Sequence, residues 1–113
     1  MSEEFTPILP LAELADGTLR ACEVNGRAIV LCRSSGVVHA LDDLCTHAEA
    51  RMSEGRLRRG RLICPMHGAA FDLSDGRPLS GPATRALRCH EVRVQAGVIE
   101  VRLAGGDATT PGA

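Results

Sequence analysis

The chain has 113 residues, a formal net charge of −1 and 44% hydrophobic residues, which suits one domain with an apolar core and leaves no room for a second. Two Phe and no Trp or Tyr are present, so this core must consist mainly of aliphatic side chains, and no basic run interleaved with aromatic residues suggests a nucleic-acid surface. No apolar stretch approaches the ~20 residues that span a bilayer, and the N-terminus lacks the layout of a signal peptide. We therefore expect a soluble, cytoplasmic protein that binds neither nucleic acid nor membrane.

Short strand-like segments alternate with Gly-containing turns along the chain. One helical turn fits Leu11 to Ala15, and Asn25-Gly26 is the strongest local signal for a β-hairpin. Strands are predicted over residues 18–24, 27–33, 37–41, 62–64, 70–73, 89–94 and 98–103. Many short antiparallel strands at regular spacing predict an all-β fold, a small sandwich or barrel, and the Gly-, Thr- and Pro-rich segment 104–113 is predicted to be a disordered tail.

Two loops interrupt the strand pattern, and each carries one thiol and one imidazole. Cys45 and His47 form a Cys-x-His pair, and Cys64 and His67 form a Cys-x-x-His pair sixteen residues later. With one intervening residue in an extended segment, the first pair projects from one side of the chain, with Cα atoms roughly 6.5 Å apart. This suits ligands that reach two different metal atoms, as in a two-iron cluster with thiolates on one iron and neutral imidazoles on the other.

A structural zinc site, with all four side chains on one ion, is the alternative for this Cys₂His₂ set. Zinc-binding pairs usually lie two to four residues apart, so that both side chains can curl onto one metal, and the Cys-x-His spacing does not fit this pattern. The spacing therefore favours the iron-sulfur cluster, and a metal analysis would distinguish the two.

The remaining cysteines and histidines lack a ligand partner nearby in sequence. Five cysteines do not suit a closed disulfide framework, because the number is odd and a reducing compartment would not maintain one. Cys22, Cys32 and Cys89 are predicted to be small apolar residues on buried strand faces. His39 and His90 are predicted to be solvated strand residues rather than further ligands.

The spacing of the four ligands resembles the signature of the Rieske family. Three segments are similar to the two cluster loops and the following strand of that family: Cys45-Thr46-His47, Cys64-Pro65-Met66-His67-Gly68 and Phe71-Asp72. Gly81-Pro82-Ala83 is similar to the third, proline-containing loop that shields the cluster. The likeness extends from about Leu9 to Leu103. It implies one domain over residues 1–103, with stacked antiparallel sheets and a small cluster-binding subdomain at one tip, its loops near residues 42–51, 64–69 and 80–84.

The resemblance also implies a ligand set and a function. Cys45 and Cys64 would bind the inner iron of one [2Fe-2S] cluster, and His47 and His67 the outer iron. The protein would be a soluble ferredoxin that takes single electrons from a flavin-containing NAD(P)H reductase and passes them to a terminal oxygenase, with no catalytic activity of its own. The small subunit of an assimilatory nitrite reductase resembles this fold closely and remains the alternative.

Departures from another branch of the family indicate a low potential. Rieske proteins of cytochrome bc complexes have a disulfide across the cluster, and its cysteines are replaced here by Ala50 and Met66. They also have a Ser and a Tyr that donate hydrogen bonds to sulfur, where this chain has Ala69 and Phe71. Because such donors stabilise the reduced cluster, we expect a potential at the low end of the Rieske range of roughly −150 to +300 mV. Met66 is predicted to be an apolar cover for the cluster rather than a ligand.

Arginines are concentrated between the two ligand loops. They are Arg51, Arg56, Arg58, Arg59 and Arg61. Two interpretations remain open: a solvated hairpin, or a docking rim for an acidic redox partner.

Overall fold

Nine strands make up most of the ordered structure in the part of the chain that this computed structural model describes, residues 5–45, 50–66, 68–79 and 85–104. They are β1 Thr6–Pro10, β2 Leu19–Val24, β3 Arg27–Ser34, β4 Val37–Asp42, β5 Arg56–Arg58, β6 Arg61–Ile63, β7 Ala70–Asp72, β8 Cys89–Gln95 and β9 Val98–Arg102. Short 3₁₀ turns cover Leu11–Glu13 and Met52–Glu54. None of the helical segments among these residues is long or apolar enough to cross a membrane.

The strands form two antiparallel sheets. The six-stranded sheet has the order β1-β9-β8-β4-β3-β2, and the three-stranded sheet has the order β5-β6-β7. All of the smaller sheet comes from the segment between the two predicted ligand loops and the strand that follows them. The structure thus confirms the prediction of stacked antiparallel sheets with a small subdomain built around the ligand loops.

Two-residue turns join four pairs of neighbouring strands. Asn25 and Gly26 both have positive φ, 50° and 82°, as the type I′ hairpin turn requires. The same pattern of a non-glycine residue and then glycine, both at positive φ, recurs at Ser35-Gly36, Arg59-Gly60 and Ala96-Gly97. The Asn25-Gly26 turn was predicted. A hairpin was one interpretation of the arginine segment, but its turn at Arg59-Gly60 was not placed, because Arg carries no turn signal.

Side chains alternate across β3 and enter two different cores. The sheet core, enclosed where the six-stranded sheet folds over itself, comprises Leu9, Leu14, Val24, Ile29, Leu31, Ala40, Ile99 and Val101. The loop core, between this sheet and the small subdomain, comprises Val30, Cys32, Leu41, Cys45, Met52, Leu62, Cys64, Ala69, Phe71, Leu73 and Leu87. Burial of one such aliphatic side chain stabilises the folded state by about 1.5–3 kcal/mol compared with leaving it exposed to water. The loop core therefore anchors both predicted cysteine ligands in the most apolar part of the subdomain.

Two of the observed strands were missed in the sequence. β1 contains Pro7 and Pro10, which are tolerated because β1 is an edge strand and its pairing with β9 is irregular between Pro7 and Leu9. β5 is only three residues long and reads Arg-Leu-Arg, so its single inward side chain, Leu57, gave too little alternation to be recognised. Of the predicted tail, residues 104–113, only Ala104 lies within the described residues.

Candidate metal centre

The first ligand loop is closed by paired backbone on both sides. Leu44 and Arg51 form an antiparallel bridge, and the Cys45 N–H donates to the Ala50 carbonyl at 2.9 Å. One step further from the loop, the Met52 N–H donates to the Asp43 carbonyl at 2.8 Å. These contacts hold Cys45 at the point where the chain leaves the ladder.

The second ligand loop is closed in the same way. Ile63 pairs with Ala70 at the end of β6 and β7, and the Cys64 N–H donates to the Ala69 carbonyl at 2.8 Å. Gly68 N–H donates to the Cys64 carbonyl at 3.2 Å inside the loop. In both loops the cysteine N–H donates to the carbonyl of the residue five positions later. The two predicted thiolate ligands therefore occupy equivalent positions in two equivalent closures.

The predicted imidazole ligands, His47 and His67, lie outside the described residues, as does the predicted third loop at Gly81-Pro82-Ala83. In sequence, each histidine falls between its cysteine and the residue that closes the loop. No group of three or more metal-binding side chains comes together within the described residues, which do not include these two histidines.

Both predicted thiolate ligands are buried in apolar surroundings. Cys45 is 8% exposed and Cys64 is 1% exposed, and neither takes part in a disulfide. Their neighbours in the loop core include Met52, Leu62 and Phe71. Soft sulfur ligands in a shell that limits access of water suit an iron-sulfur cluster, because such a shell protects the cluster and sets its potential.

The pKa of each of the other three cysteines is raised above its ordinary value. Burial, with a contribution from the nearby Asp43 carboxylate, raises the pKa of Cys32 to about 12 and that of Cys22 to about 11. Burial also raises the pKa of Cys89, and nearby carboxylates add to this effect. Because the thiolate is the metal-binding form, these side chains are poor ligands at neutral pH. Cys32 is fully buried, as predicted for a small residue on a buried strand face, whereas Cys22 and Cys89 are only half-buried against the cores.

A buried carboxylate that the sequence analysis did not single out lies at the base of the first loop. Asp43 is fully buried, and its two oxygens accept hydrogen bonds from the Ser53 N–H at 2.6 Å and the Ser53 hydroxyl at 2.8 Å. Arg51 Nη1 lies 3.6 Å from the same carboxylate. Asp43 thereby joins the strand that enters the loop to the turn that leaves it. The sequence signal was an acidic residue two positions before Cys45, at the end of a strand rich in apolar residues.

The prediction for His90 was wrong, because this side chain is buried. Its Nε2 lies 2.8 Å from Asp42 Oδ1, and its Nδ1 accepts a hydrogen bond from the Ala104 N–H at 2.9 Å. Both nitrogens are occupied, which leaves neither for a metal. The two partners are 48 and 14 residues away in sequence, so no local pattern could have signalled the burial.

The carboxylate of Asp42 also responds to this contact. Burial raises the pKa of Asp42, but the hydrogen bond from His90 and the nearby Arg27 lower it more, so the pKa lies below its usual range. His39 is half-buried, and the loss of solvent lowers its pKa although Asp72 opposes this shift.

Residues at the positions of the sulfur-directed donors are apolar and buried. Ala69 and Phe71 are fully buried and have no side-chain donor. By contrast, three apolar side chains beside the ligand loops are exposed: Leu44 (57%), Met66 (57%) and Leu79 (38%). Apolar side chains thus lie beside the loops both inside the subdomain and on its surface.

Comparison with known proteins assigns the family. The model of the Rieske [2Fe-2S] domain matches residues 4–91. The ferredoxin component of the naphthalene 1,2-dioxygenase system from Pseudomonas aeruginosa is 34% identical over 95 residues, which cover 84% of this chain and 91% of that protein. Ferredoxin CarAc from Metapseudomonas resinovorans is 35% identical over 106 residues, covering 93% of this chain and 97% of that protein.

A solved structure agrees with these sequence relatives. It is the complex of reduced oxygenase and oxidised ferredoxin in carbazole 1,9a-dioxygenase, in which one chain superposes on this protein with a TM-score of 0.81 at 33% identity. The match covers 85% of this chain and 99% of that one, so the likeness extends over the whole of a small protein. The chain therefore belongs to the Rieske [2Fe-2S] family, and it is a ferredoxin with one two-iron, two-sulfur cluster that transfers electrons rather than catalysing a reaction of its own.

Proposed function

We propose that this ferredoxin carries single electrons from a flavin-containing NAD(P)H reductase to a terminal oxygenase. Relatives of nearly the same length are named as ferredoxin components of naphthalene and carbazole dioxygenase systems, and one solved structure contains a ferredoxin together with its oxygenase. These relatives favour an oxygenase system over the nitrite-reductase alternative.

We also propose Cys45, His47, Cys64 and His67 as the cluster ligands. The observation that supports this set is the matched closure of the two loops, with both cysteines buried in one apolar core. When bound, the cluster accepts and releases one electron at a time. The protein's own contribution is to hold the two thiolates at fixed positions and to keep water away from them, through Met52 and the other loop-core residues.

The surface beside the loops suits a protein that must bind and release two partners in turn. Leu44, Met66 and Leu79 present three exposed apolar side chains beside the loops. A small apolar contact of this kind releases water on docking without holding a partner permanently, as is usual for transient electron-transfer complexes.

Two further features of the proposal concern potential and location. The apolar, fully buried Ala69 and Phe71 leave the cluster sulfurs without side-chain donors at these positions, which supports a potential at the low end of the Rieske range. None of the five cysteines is in a disulfide, which is the expected state in the reducing cytoplasm where we place the protein.

The test combines analysis of the cluster with reconstitution of electron transfer. The purified holoprotein should contain about two iron and two acid-labile sulfide per chain and should take up one electron. Added to the reductase and oxygenase of the carbazole 1,9a-dioxygenase system in place of their own ferredoxin, it should restore NADH-dependent product formation, and the apoprotein should not. A protein that holds one zinc, or a holoprotein that is reduced but passes no electron to the oxygenase, would contradict the proposal.

A further inference from the structure

Four exposed arginines lie on the β5–β6 hairpin. We call Arg56, Arg58, Arg59 and Arg61 the arginine face. Within the part of the chain that the structure describes, no carboxylate lies within ion-pair distance of any of the four. Elsewhere, ion pairs to carboxylates engage Arg20, Arg27, Arg51, Arg77, Arg93 and Arg102. Among the described residues, positive charge outside ion pairs is therefore concentrated on one hairpin of the cluster-binding subdomain, with Asp72 as the acidic residue across the ladder from Arg61.

The strand register places these charges on the outer side of the small sheet. Arg58 pairs with Arg61, and Arg56 pairs with Ile63, so these side chains project from one face of the hairpin. Leu57 and Leu62 pair on the other face, and Leu62 is fully buried in the loop core. The outer face thus carries guanidinium groups around one half-buried apolar side chain, Ile63, with Asp72 next to Arg61 across the β6–β7 ladder.

Like charges that face each other across a ladder destabilise a sheet. Arg58 and Arg61 are such a pair, and Arg59 at the turn adds a third positive charge next to them. Asp72, opposite Arg61 across the β6–β7 ladder, offsets part of this repulsion, but its ion pair is with Arg77. A partner that supplies carboxylates would relieve the repulsion on binding.

Two shallow cavities connect the arginine face to the second ligand loop. One, of about 210 Å³, is lined by Arg58, Arg59, Arg61 and Ile63. The other, of about 380 Å³, is lined by Glu54, Gly55, Arg56, Ile63, Cys64, Pro65 and Gly68. Ile63 lines both cavities, so they are neighbours on the surface between the arginines and the Cys64 loop. A molecule bound to the arginines would therefore lie against the subdomain that holds the cluster.

We propose that the arginine face is a docking surface for an acidic redox-partner protein, whose carboxylates pair with these guanidinium groups next to the Cys64 loop. Basic and acidic surfaces attract each other before contact and speed association, most strongly at low ionic strength. The inference rests on the proposed function as an electron carrier. It extends that function by assigning the charge of the partner and the side on which it docks.

The experiment measures electron transfer from the reduced holoprotein to two haem proteins of opposite charge. In stopped flow, the reduced cluster gives one electron to the ferric haem of cytochrome b5, which is acidic, or of cytochrome c, which is basic. The test variant is R58Q/R61Q, which removes two positive charges from the arginine face.

The control variant is R20E, which changes the net charge by the same two units. Arg20 is exposed on β2, and its neighbour Leu19 packs against the loop core. Because side chains alternate along a strand, Arg20 projects away from the cluster-binding subdomain. Iron content and visible spectrum should be unchanged in both variants, since all the altered side chains are exposed. If the double variant lost iron, R58Q and R61Q would be measured singly.

At about 20 mM ionic strength, we expect R58Q/R61Q to lower the second-order rate constant with cytochrome b5 about fivefold, whereas R20E should change it less than about twofold. The difference should disappear near 0.5 M salt, where the screening length is only about 4 Å. With cytochrome c, R58Q/R61Q should be no slower than the wild type.

Three results would overturn the docking proposal: an unchanged rate of R58Q/R61Q with cytochrome b5, an equal loss in R20E, or a loss that persists at high salt. A reduced protein that passes electrons to neither cytochrome would contradict the electron-carrier function itself. Failure of the docking surface alone would leave transfer to cytochrome c intact, so the two failures are distinguishable. Salt-sensitive binding of a DNA duplex to the arginine face, with unchanged cytochrome kinetics, would assign the surface to another class of partner and overturn the proposal.

Discussion

Gly55 lies directly against the backbone carbonyl of Ile63, the residue that precedes Cys64. A Cβ at position 55 would overlap the Ile63 carbonyl oxygen and would lie 3.2 Å from the Met52 carbonyl oxygen. The Gly55 N–H donates to this same Met52 oxygen at 2.9 Å. Both obstacles are backbone atoms, which cannot rotate aside as a flexible side chain can. Gly55 thus lets the turn after the first ligand loop pack against the strand that enters the second.

Gly55→Ala should therefore disrupt the cluster site. Relief of the clash requires movement of Ile63 and of the adjacent Cys64, so we expect iron content to fall by more than half and the free energy of unfolding to fall by at least about 2 kcal/mol. Gly36→Ala is the control: its Cβ would meet nothing within 4 Å, but its φ is +80°. The free energy of unfolding of that variant should fall by about 1–2 kcal/mol, and its iron content should be unchanged. Full iron content in Gly55→Ala would show that the backbone contact is not critical.

The buried pair of Asp43 and Ser53 provides a second prediction. Ser53→Ala removes the hydroxyl that donates to the fully buried Asp43 carboxylate at 2.8 Å. Because a hydrogen bond to a buried charged group is not replaced by water, the free energy of unfolding should fall by about 1.5–3 kcal/mol. Chemical denaturation of the holoprotein, followed through the cluster absorbance and the far-UV circular dichroism, measures this loss.

Ser74→Ala is the matched control for Ser53→Ala. The Ser74 hydroxyl donates to the Asp72 carboxylate at 2.6 Å, but this contact is exposed. Water can take the place of the hydroxyl, so the loss should stay within about 0.5 kcal/mol. Equal losses in the two variants would mean that burial does not strengthen the Asp43 contact.

The contrast between Cys45 and Asp43 explains how far sequence could predict the site. The four ligand candidates were identifiable because a metal requires particular side chains at short spacings, and both loops carry such pairs locally. Asp43 was missed because its role depends on Ser53, ten residues away and across the loop. The alternation of apolar residues was enough to place most strands, whereas β5 was too short and β1 contained prolines. Features that depend on residues close together in sequence, such as the ligand pairs and most strands, could be predicted. The burial of Asp43 could not, because it depends on a residue across the loop.

His90 illustrates the same limit and leads to a third prediction. His90→Leu would remove the hydrogen bonds to Asp42 and from Ala104, leaving a carboxylate and an N–H without these partners. We expect the free energy of unfolding to fall by about 2–3 kcal/mol, with unchanged iron content. His39→Leu is the control, since His39 is only half-buried and lies on the neighbouring strand. This substitution should lower the free energy of unfolding by less than about 1 kcal/mol. Loss of iron in His90→Leu would imply that the ring contributes to the cluster.

Replacement of single cysteines tests the ligand assignment. Cys45→Ala and Cys64→Ala should each abolish cluster assembly, because no other thiol lies at either loop closure. Cys89→Ala should keep about two iron per chain, because that thiol is protonated and makes only a weak contact with the Leu87 carbonyl at 3.9 Å. Iron analysis and electron paramagnetic resonance of the reduced proteins measure both outcomes. A bleached Cys89→Ala protein, or a normal signal from either loop variant, would show that the ligand set is wrong.

The last prediction concerns the alkaline limit of stability, which the buried thiol of Cys32 should influence. Burial raises its pKa from 9.0 to about 12, so the folded protein keeps the proton where the unfolded chain releases it. The contribution of this thiol to stability is complete below pH 9, and it is lost progressively as the pH rises toward 12. Between pH 8 and pH 10, ionisation of the unfolded thiol should lower the free energy of unfolding by about 1.4 kcal/mol.

Cys32→Ala should remove this part of the pH dependence. The free energy of unfolding is measured by urea denaturation from pH 8 to pH 10. Over this interval it should fall by about 1.4 kcal/mol less in the variant than in the wild type. Val30→Ala, on the same face of β3 and in the same loop core, is the control. Because Val30 does not titrate, that variant should be less stable at every pH by a constant amount. Parallel curves for the wild type and Cys32→Ala would mean that the thiol ionises equally readily in the folded and unfolded chains.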